Sequence, residues 1–148
     1  MPDVPLWNPS IVAGRPFHSN AQSAVFSPYT VPAYVLPFWT ALGWIGVLKL
    51  WVAAFGTYLL GRSLGMGFAG AVLAGIVFAF SLRMVTWLSY PAMSVWTLIP
   101  WVLVATDRLV RRPDLLAGAG LAAVVGLQFL CGHPESSFHA LLAAVAFL

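Results

Sequence analysis

Hydrophobic positions in this chain fall in long runs rather than in alternation. Residues 40–61 are apolar except for Lys49, residues 66–82 and 84–106 carry no charge, residues 115–132 form a fourth run, and a fifth starts near Ser136 and continues to Leu148. A lipid span needs about 20 apolar residues, with a range of about 17–25, and the first four runs each fit. The third contains Pro91 and Pro100. Pro91 is expected to end an outer loop, leaving a short helix with a kink near Pro100. Ahead of the runs, residues 1–38 carry Pro at 2, 5, 9, 16, 28, 32 and 37, which forbids a continuous helix and predicts a non-spanning loop.

Small residues recur every four positions in two runs: Gly67, Ala71, Gly75 and Ala79, then Gly118, Ala122 and Gly126. In lipid such stripes let helix backbones approach closely, so both are expected to face neighbouring helices. The pattern predicts an all-α polytopic transmembrane bundle of four spans plus the start of a fifth. An extracytoplasmic Pro-rich segment over 1–38 would be followed by a helical bundle over 39–148. The final run has neither cap nor breaker before its end, which leads us to expect a piece of a longer protein.

Composition agrees with the pattern. Hydrophobic residues make up 61% of the 148 and charged residues 7%, against about 25% charged in ordinary soluble domains. Mean hydropathy is +0.90. The net charge of +3 rests on seven cations with no basic stripe, so nucleic acid is not an expected partner. Cys131 is the single cysteine, which excludes an intrachain disulfide and a multi-cysteine zinc site. Charge does set orientation. Arg62 lies between the first two runs, and Arg108, Arg111 and Arg112 between the third and fourth; Arg15 and Arg83 lie at the other ends. Excess Arg marks cytoplasmic loops. Residues 1–38, 83–91 and 133–135 are therefore expected on the outer face.

These outer segments resemble the YfhO-like bacterial membrane proteins, multi-spanning members of the GT-C glycosyltransferase superfamily. The resemblance is carried by Pro5-Leu6-Trp7-Asn8-Pro9 with Gly14, Pro16, Asn20, Gln22-Ser23 and Pro28; by Phe78-Ala79-Phe80-Ser81 with Met84, Trp87 and Pro91; by Asp107-Arg108-Leu109; and by Leu127-Gln128-Phe129-Leu130-Cys131-Gly132-His133-Pro134. It covers nearly the whole chain in the family's order. It implies a bacterial cell-membrane protein that transfers sugar from a polyprenyl-phosphate donor onto an envelope polymer or lipid, with more spans than these. The carboxylate most associated with catalysis in GT-C proteins lies in the first outer loop, near the end of a span that would precede Met1. Asp3 lies close to that region. Proteins like this one often carry Gln where this chain has Glu135.

Each candidate has a chemical and a structural reading. Inverting glycosyl transfer needs a base to take the acceptor's proton, and Asp3 or Glu135 would serve; otherwise Asp3 is a solvated loop residue and Glu135 complements a helix dipole after Pro134 at N1. His139 lies four residues after Glu135 on one helix face, with His133 just before Pro134. The trio suits a phosphate or a divalent metal, but it lacks a known zinc-box spacing, and a hydrogen-bonded interfacial cluster accounts for it better than a metal does. No cofactor is implied. Arg83, beside Trp87 and Tyr90, would hold a lipid phosphate bidentately or anchor at the interface, and Arg15 is the second such cation. Lys49 sits near the middle of a span, where a cation costs about 2.5–3.5 kcal/mol, so it should face protein or water, paired with a carboxylate of a further helix or meeting a lipid phosphate, unless it snorkels to an interface. Trp7, Asn8, Asn20 and Gln22 suit sugar binding, or else fold the loop on itself. Beside the transferase stand two further readings: a non-enzymatic scaffold or carrier for lipid-linked intermediates, and an inactive truncation.

Overall fold

A computed structural model describes residues 7–10, 13–16 and 21–147, with Arg15 and Ala21 described by backbone only. Apart from one short pairing, every regular element is helical. Trp7–Asn8 (β1) and Arg15–Pro16 (β2) pair antiparallel, Trp7 opposite Pro16 and Asn8 opposite Arg15. Short 3₁₀ turns at Ala21–Ser23 and Pro28–Thr30 lead into Val31–Val35 (α1). The helices that follow are Phe38–Ser63 (α2), Phe68–Ala79 (α3), Leu82–Thr86 (α4), Pro91–Trp96 (α5), Ile99–Arg111 (α6), Leu115–Leu130 (α7) and Pro134–Phe147 (α8).

Among the described residues, three stretches are long and apolar enough to cross a membrane: Phe38–Ser63, Phe68–Thr86 and Pro91–Arg111. At about 1.5 Å per residue they run about 39, 28 and 31 Å, against a hydrocarbon layer of about 30 Å. The second and third boundaries differ from expectation. The second stretch continues through a break at Phe80–Ser81 as far as Thr86, and the third begins at Pro91, as expected, but runs on to Arg111. Pro91 occupies the first turn of α5, where its missing N–H costs nothing. The expected kink region resolves into a break at Thr97–Leu98, with Pro100 in the first turn of α6. Residues 115–132 were expected to span, but α7 has 16 residues, about 24 Å, and falls in the shorter class of apolar helices.

The α2–α3 hairpin is the most closely packed part of the fold. Ala71, Gly75 and Ala79 face inward, and a Cβ on Gly75 would stand 2.6 Å from the Ala54 carbonyl oxygen. A Cβ on Gly61 would stand 3.2 Å from the Ala71 Cβ, a looser approach. This stripe works as small residues in lipid do. The α7 stripe does not: Gly118 and Gly126 have no heavy atom within 4 Å of where a Cβ would stand. Among the described residues α7 packs through Ala117 and Gln128 instead.

The two ends of the bundle differ in chemistry. At one end Arg111 donates to Asp107 at 2.8 Å and to the Ser63 carbonyl at 3.5 Å, tying the C-terminal end of α6 to that of α2, where Arg62, Arg108 and Arg112 also lie. At the other end the segment before α1 is fixed by buried polar contacts. Tyr29 and Thr97 hydroxyls lie 2.6 Å apart, and Ser27 donates to Cys131. The Thr97 hydrogen is already given to the Ser94 carbonyl at 2.7 Å, so the Tyr29 hydroxyl is the donor. Burial pushes the Tyr29 phenol above its ordinary range, with the Thr97 hydrogen bond pulling the other way.

Candidate functional site

Two clefts open at this second end. The first, about 520 Å³, is lined by Arg83 of α4, Trp87 and Tyr90 of the α4–α5 connection, Trp96 of α5, and His133, Glu135 and His139 at the start of α8. That volume falls within the range of small-molecule sites, about 300–1,000 Å³. Segments about fifty residues apart in sequence meet here because α5 and α8 pack against each other.

The local structure fixes several donor and acceptor roles. Pro134 opens α8, which makes His133 its cap. The His133 Nδ1 accepts from the Ser136 N–H at 3.3 Å and lies 2.9 Å from the Ser136 hydroxyl. In the neutral ring the proton is therefore on Nε2, which is left as a donor. One turn later His139 Nδ1 lies 2.8 Å from the Glu135 carbonyl oxygen. A carbonyl only accepts, so this Nδ1 carries the proton and the neutral ring's Nε2 is an acceptor. The two imidazoles thus bring opposite roles to one cleft, an arrangement suited to accepting one proton while donating another hydrogen bond.

Arg83 lies with its guanidinium carbon 4.3 Å from the centre of the Trp96 ring. Stacking of this kind fixes the plane of the guanidinium and leaves its edge N–H groups for a bidentate anion. Trp87 and Tyr90 meet edge to face at 5.4 Å beside it. Among the described residues the only ion pair joins Arg111 and Asp107. Arg83 and Glu135 share the cleft without neutralising one another.

The second cleft, about 240 Å³, lies on the other side of the α4–α5 connection. Gln22, Ser23, Ser27, Thr30, Lys49, Ser89 and Ser94 contribute to its wall. Lys49 is buried, with 3% of its surface exposed, and donates to the Leu88 carbonyl at 2.8 Å and to the Tyr90 carbonyl at 3.5 Å. It faces protein rather than reaching along α2 toward an interface.

Of the sequence candidates, the first cleft gathers Arg83, His133, Glu135 and His139, and the second gathers Lys49 and Gln22. Trp7 and Asn8 join neither lining. Trp7 packs its ring over Gly14, whose φ is +102°, and the Asn8 side chain accepts from the Ser10 N–H at 3.0 Å, so both fold their own hairpin. Asp3 and Asn20 lie outside the described residues, as does the Arg15 side chain. No group of three or more metal-ligating side chains converges among the described residues.

Two residues of the clefts, Trp96 and Ser94, were not among the sequence candidates. No spacing rule joins Trp96 to Arg83 across the break at Trp87–Tyr90. The capping role of His133 did have a signal, since a residue directly before Pro at N1 stands at the N-cap. No protein-family model, curated protein or solved structure matches the chain.

Proposed function

We propose that this is a multi-pass membrane protein whose first cleft opens on the outer face and holds a polyprenyl-phosphate-linked sugar for transfer to an envelope acceptor. The observation that carries the reading is the meeting of Arg83, His133, Glu135 and His139 with Trp87, Tyr90 and Trp96 around one 520 Å³ cleft. Each part answers a need of that chemistry. The aromatic wall offers faces for a sugar ring. The stacked Arg83 offers a fork to the phosphate that leaves as the glycosidic bond breaks. Glu135, or His139 through its free Nε2, would take the proton of the attacking hydroxyl. The four Arg at the C-terminal ends of α2 and α6 and just after α6 support a cytoplasmic location for the opposite end. The resemblance to the YfhO-like proteins supports the same class of reaction.

The test is transfer of labelled hexose from a polyprenyl-phosphate donor by membranes containing the protein. Arg83→Lys keeps the charge and loses the fork, and is expected to lower transfer by roughly 10–100-fold with normal insertion. Glu135→Gln and His139→Gln, made separately, identify the base by which one removes the rise of rate with pH. Unchanged transfer in Arg83→Lys and Arg83→Gln would remove Arg83 from the site and with it this reading.

A further inference from the structure

The second cleft holds an arrangement the proposed transfer does not use. Lys49 is an ammonium with three hydrogen-bond donors, and its two partners are the Leu88 and Tyr90 carbonyls. It makes no ion pair among the described residues. A cation withdrawn from water in an apolar bundle is costly unless an anion or several dipoles offset it. Two carbonyls leave one N–H over. The same cleft contains Ser94, 4% exposed, whose hydroxyl makes no hydrogen bond among the described residues. Its oxygen is open to the cleft, since the one buried side-chain polar atom without a partner among the described residues is Gln128 Oε1. Gln22 and Ser89, both exposed, border the same space with side chains that also lack a hydrogen-bond partner among the described residues.

We propose that this second cleft binds a phosphate group, with Lys49 as its cation and Ser94, Ser89 and Gln22 as neutral donors. Donors arriving from α2, α5, the α4–α5 connection and the segment before α1 suit a tetrahedral oxyanion better than the two-oxygen edge of a carboxylate. The volume of about 240 Å³ is below the usual range for a whole small-molecule ligand, about 300–1,000 Å³, so the cleft takes a headgroup or a free phosphate. The Leu88–Tyr90 segment held by Lys49 also supplies Tyr90 to the first cleft. A phosphate that draws on Lys49 therefore acts on the wall the two clefts share. The inference rests on Lys49 and Ser94, and it stands or falls apart from the transfer reading.

The experiment measures thermal unfolding of the purified chain in phosphatidylcholine nanodiscs. Inorganic phosphate is titrated at constant ionic strength with chloride, acetate is titrated in parallel, and a second set of nanodiscs carries phosphatidic acid. Ligand bound only to the folded state raises Tm, by roughly 4 °C at ten times Kd for a chain of this size. We expect phosphate or phosphatidic acid to raise the Tm of the wild type. The apparent Kd should rise at least tenfold in Lys49→Gln and severalfold in Ser94→Ala, with no change in Arg112→Gln, an exposed cation at the opposite end of the bundle. A response to inorganic phosphate identifies a free anion as sufficient; a response to phosphatidic acid alone identifies a lipid headgroup. If Lys49→Gln does not fold, Ser94→Ala, which removes one oxygen, decides the matter. The proposal is overturned if neither probe raises Tm or if acetate acts equally. It is overturned equally if the response survives Lys49→Gln and Ser94→Ala.

Discussion

At the scale of single residues, buried hydroxyls fasten the segment before α1 onto the bundle. Tyr29 is 4% and Thr97 0% exposed, and their hydrogen bond joins positions 68 apart in sequence. Tyr29→Phe keeps the ring's packing and removes the donor, so the Thr97 oxygen loses its incoming bond. The expected cost is about 1–2 kcal/mol. Thr97→Val is expected to cost more, because it strands a buried phenol and also removes the bond to the Ser94 carbonyl. Denaturant unfolding of the two variants in one detergent checks the order, and a Tyr29→Phe variant as stable as wild type would show that this bond contributes nothing net. The candidate site's roles are set at the same scale. A backbone N–H fixes His133 and a backbone carbonyl fixes His139, so two identical side chains six residues apart face the cleft with opposite hydrogen-bonding character.

Between elements, identical small-residue patterns have different consequences. The Gly75 position faces the Ala54 backbone, which cannot swing aside as a flexible side chain would. Gly75→Ala is expected to destabilise the α2–α3 hairpin by about 1–3 kcal/mol. Gly126→Ala meets open space and gains helix propensity, so it is expected to be neutral or to stabilise by up to about 1 kcal/mol. Comparing their unfolding midpoints tests whether both stripes are helix contacts; equal losses would mean that α7 also packs through its glycines. The break between α5 and α6 was legible, because Pro91 and Pro100 each mark a first turn. The break between α3 and α4 was not. Phe78, Phe80 and Leu82 continue the apolar run without any residue that forbids a helix.

For the whole molecule, the two ends separate by charge and by chemistry. The C-terminal ends of α2 and α6 are bonded together through Arg111 and Ser63, while both clefts open at the other end. If the Arg-rich end is cytoplasmic, Ser10→Cys reacts with an impermeant thiol reagent applied from outside and Leu64→Cys does not, in a chain whose Cys131 has first been changed to Ala. Ser10 and Leu64 are both exposed, so a difference between them reports the side of the membrane rather than burial. The reverse pattern would put both clefts on the cytoplasmic face and end the envelope reading.

Run length, the scarcity of charge and the positions of Pro were enough to determine an all-helical chain with segments able to cross a membrane, because transfer from water to lipid depends on composition summed over a window. The same quantities placed Arg83 beside Trp87 and Tyr90, and His139 one turn after Glu135, because those are local spacings. Tertiary structure alone decided which stripe of small residues meets a neighbour, that Trp96 lies under Arg83, and that Lys49 closes on the Leu88 and Tyr90 carbonyls. These pairings depend on how far each helix is rotated about its axis and on where a break redirects the chain. In lipid nearly every apolar face is tolerated outward, so hydrophobicity does not choose the rotation; close packing and the need to partner buried polar groups do.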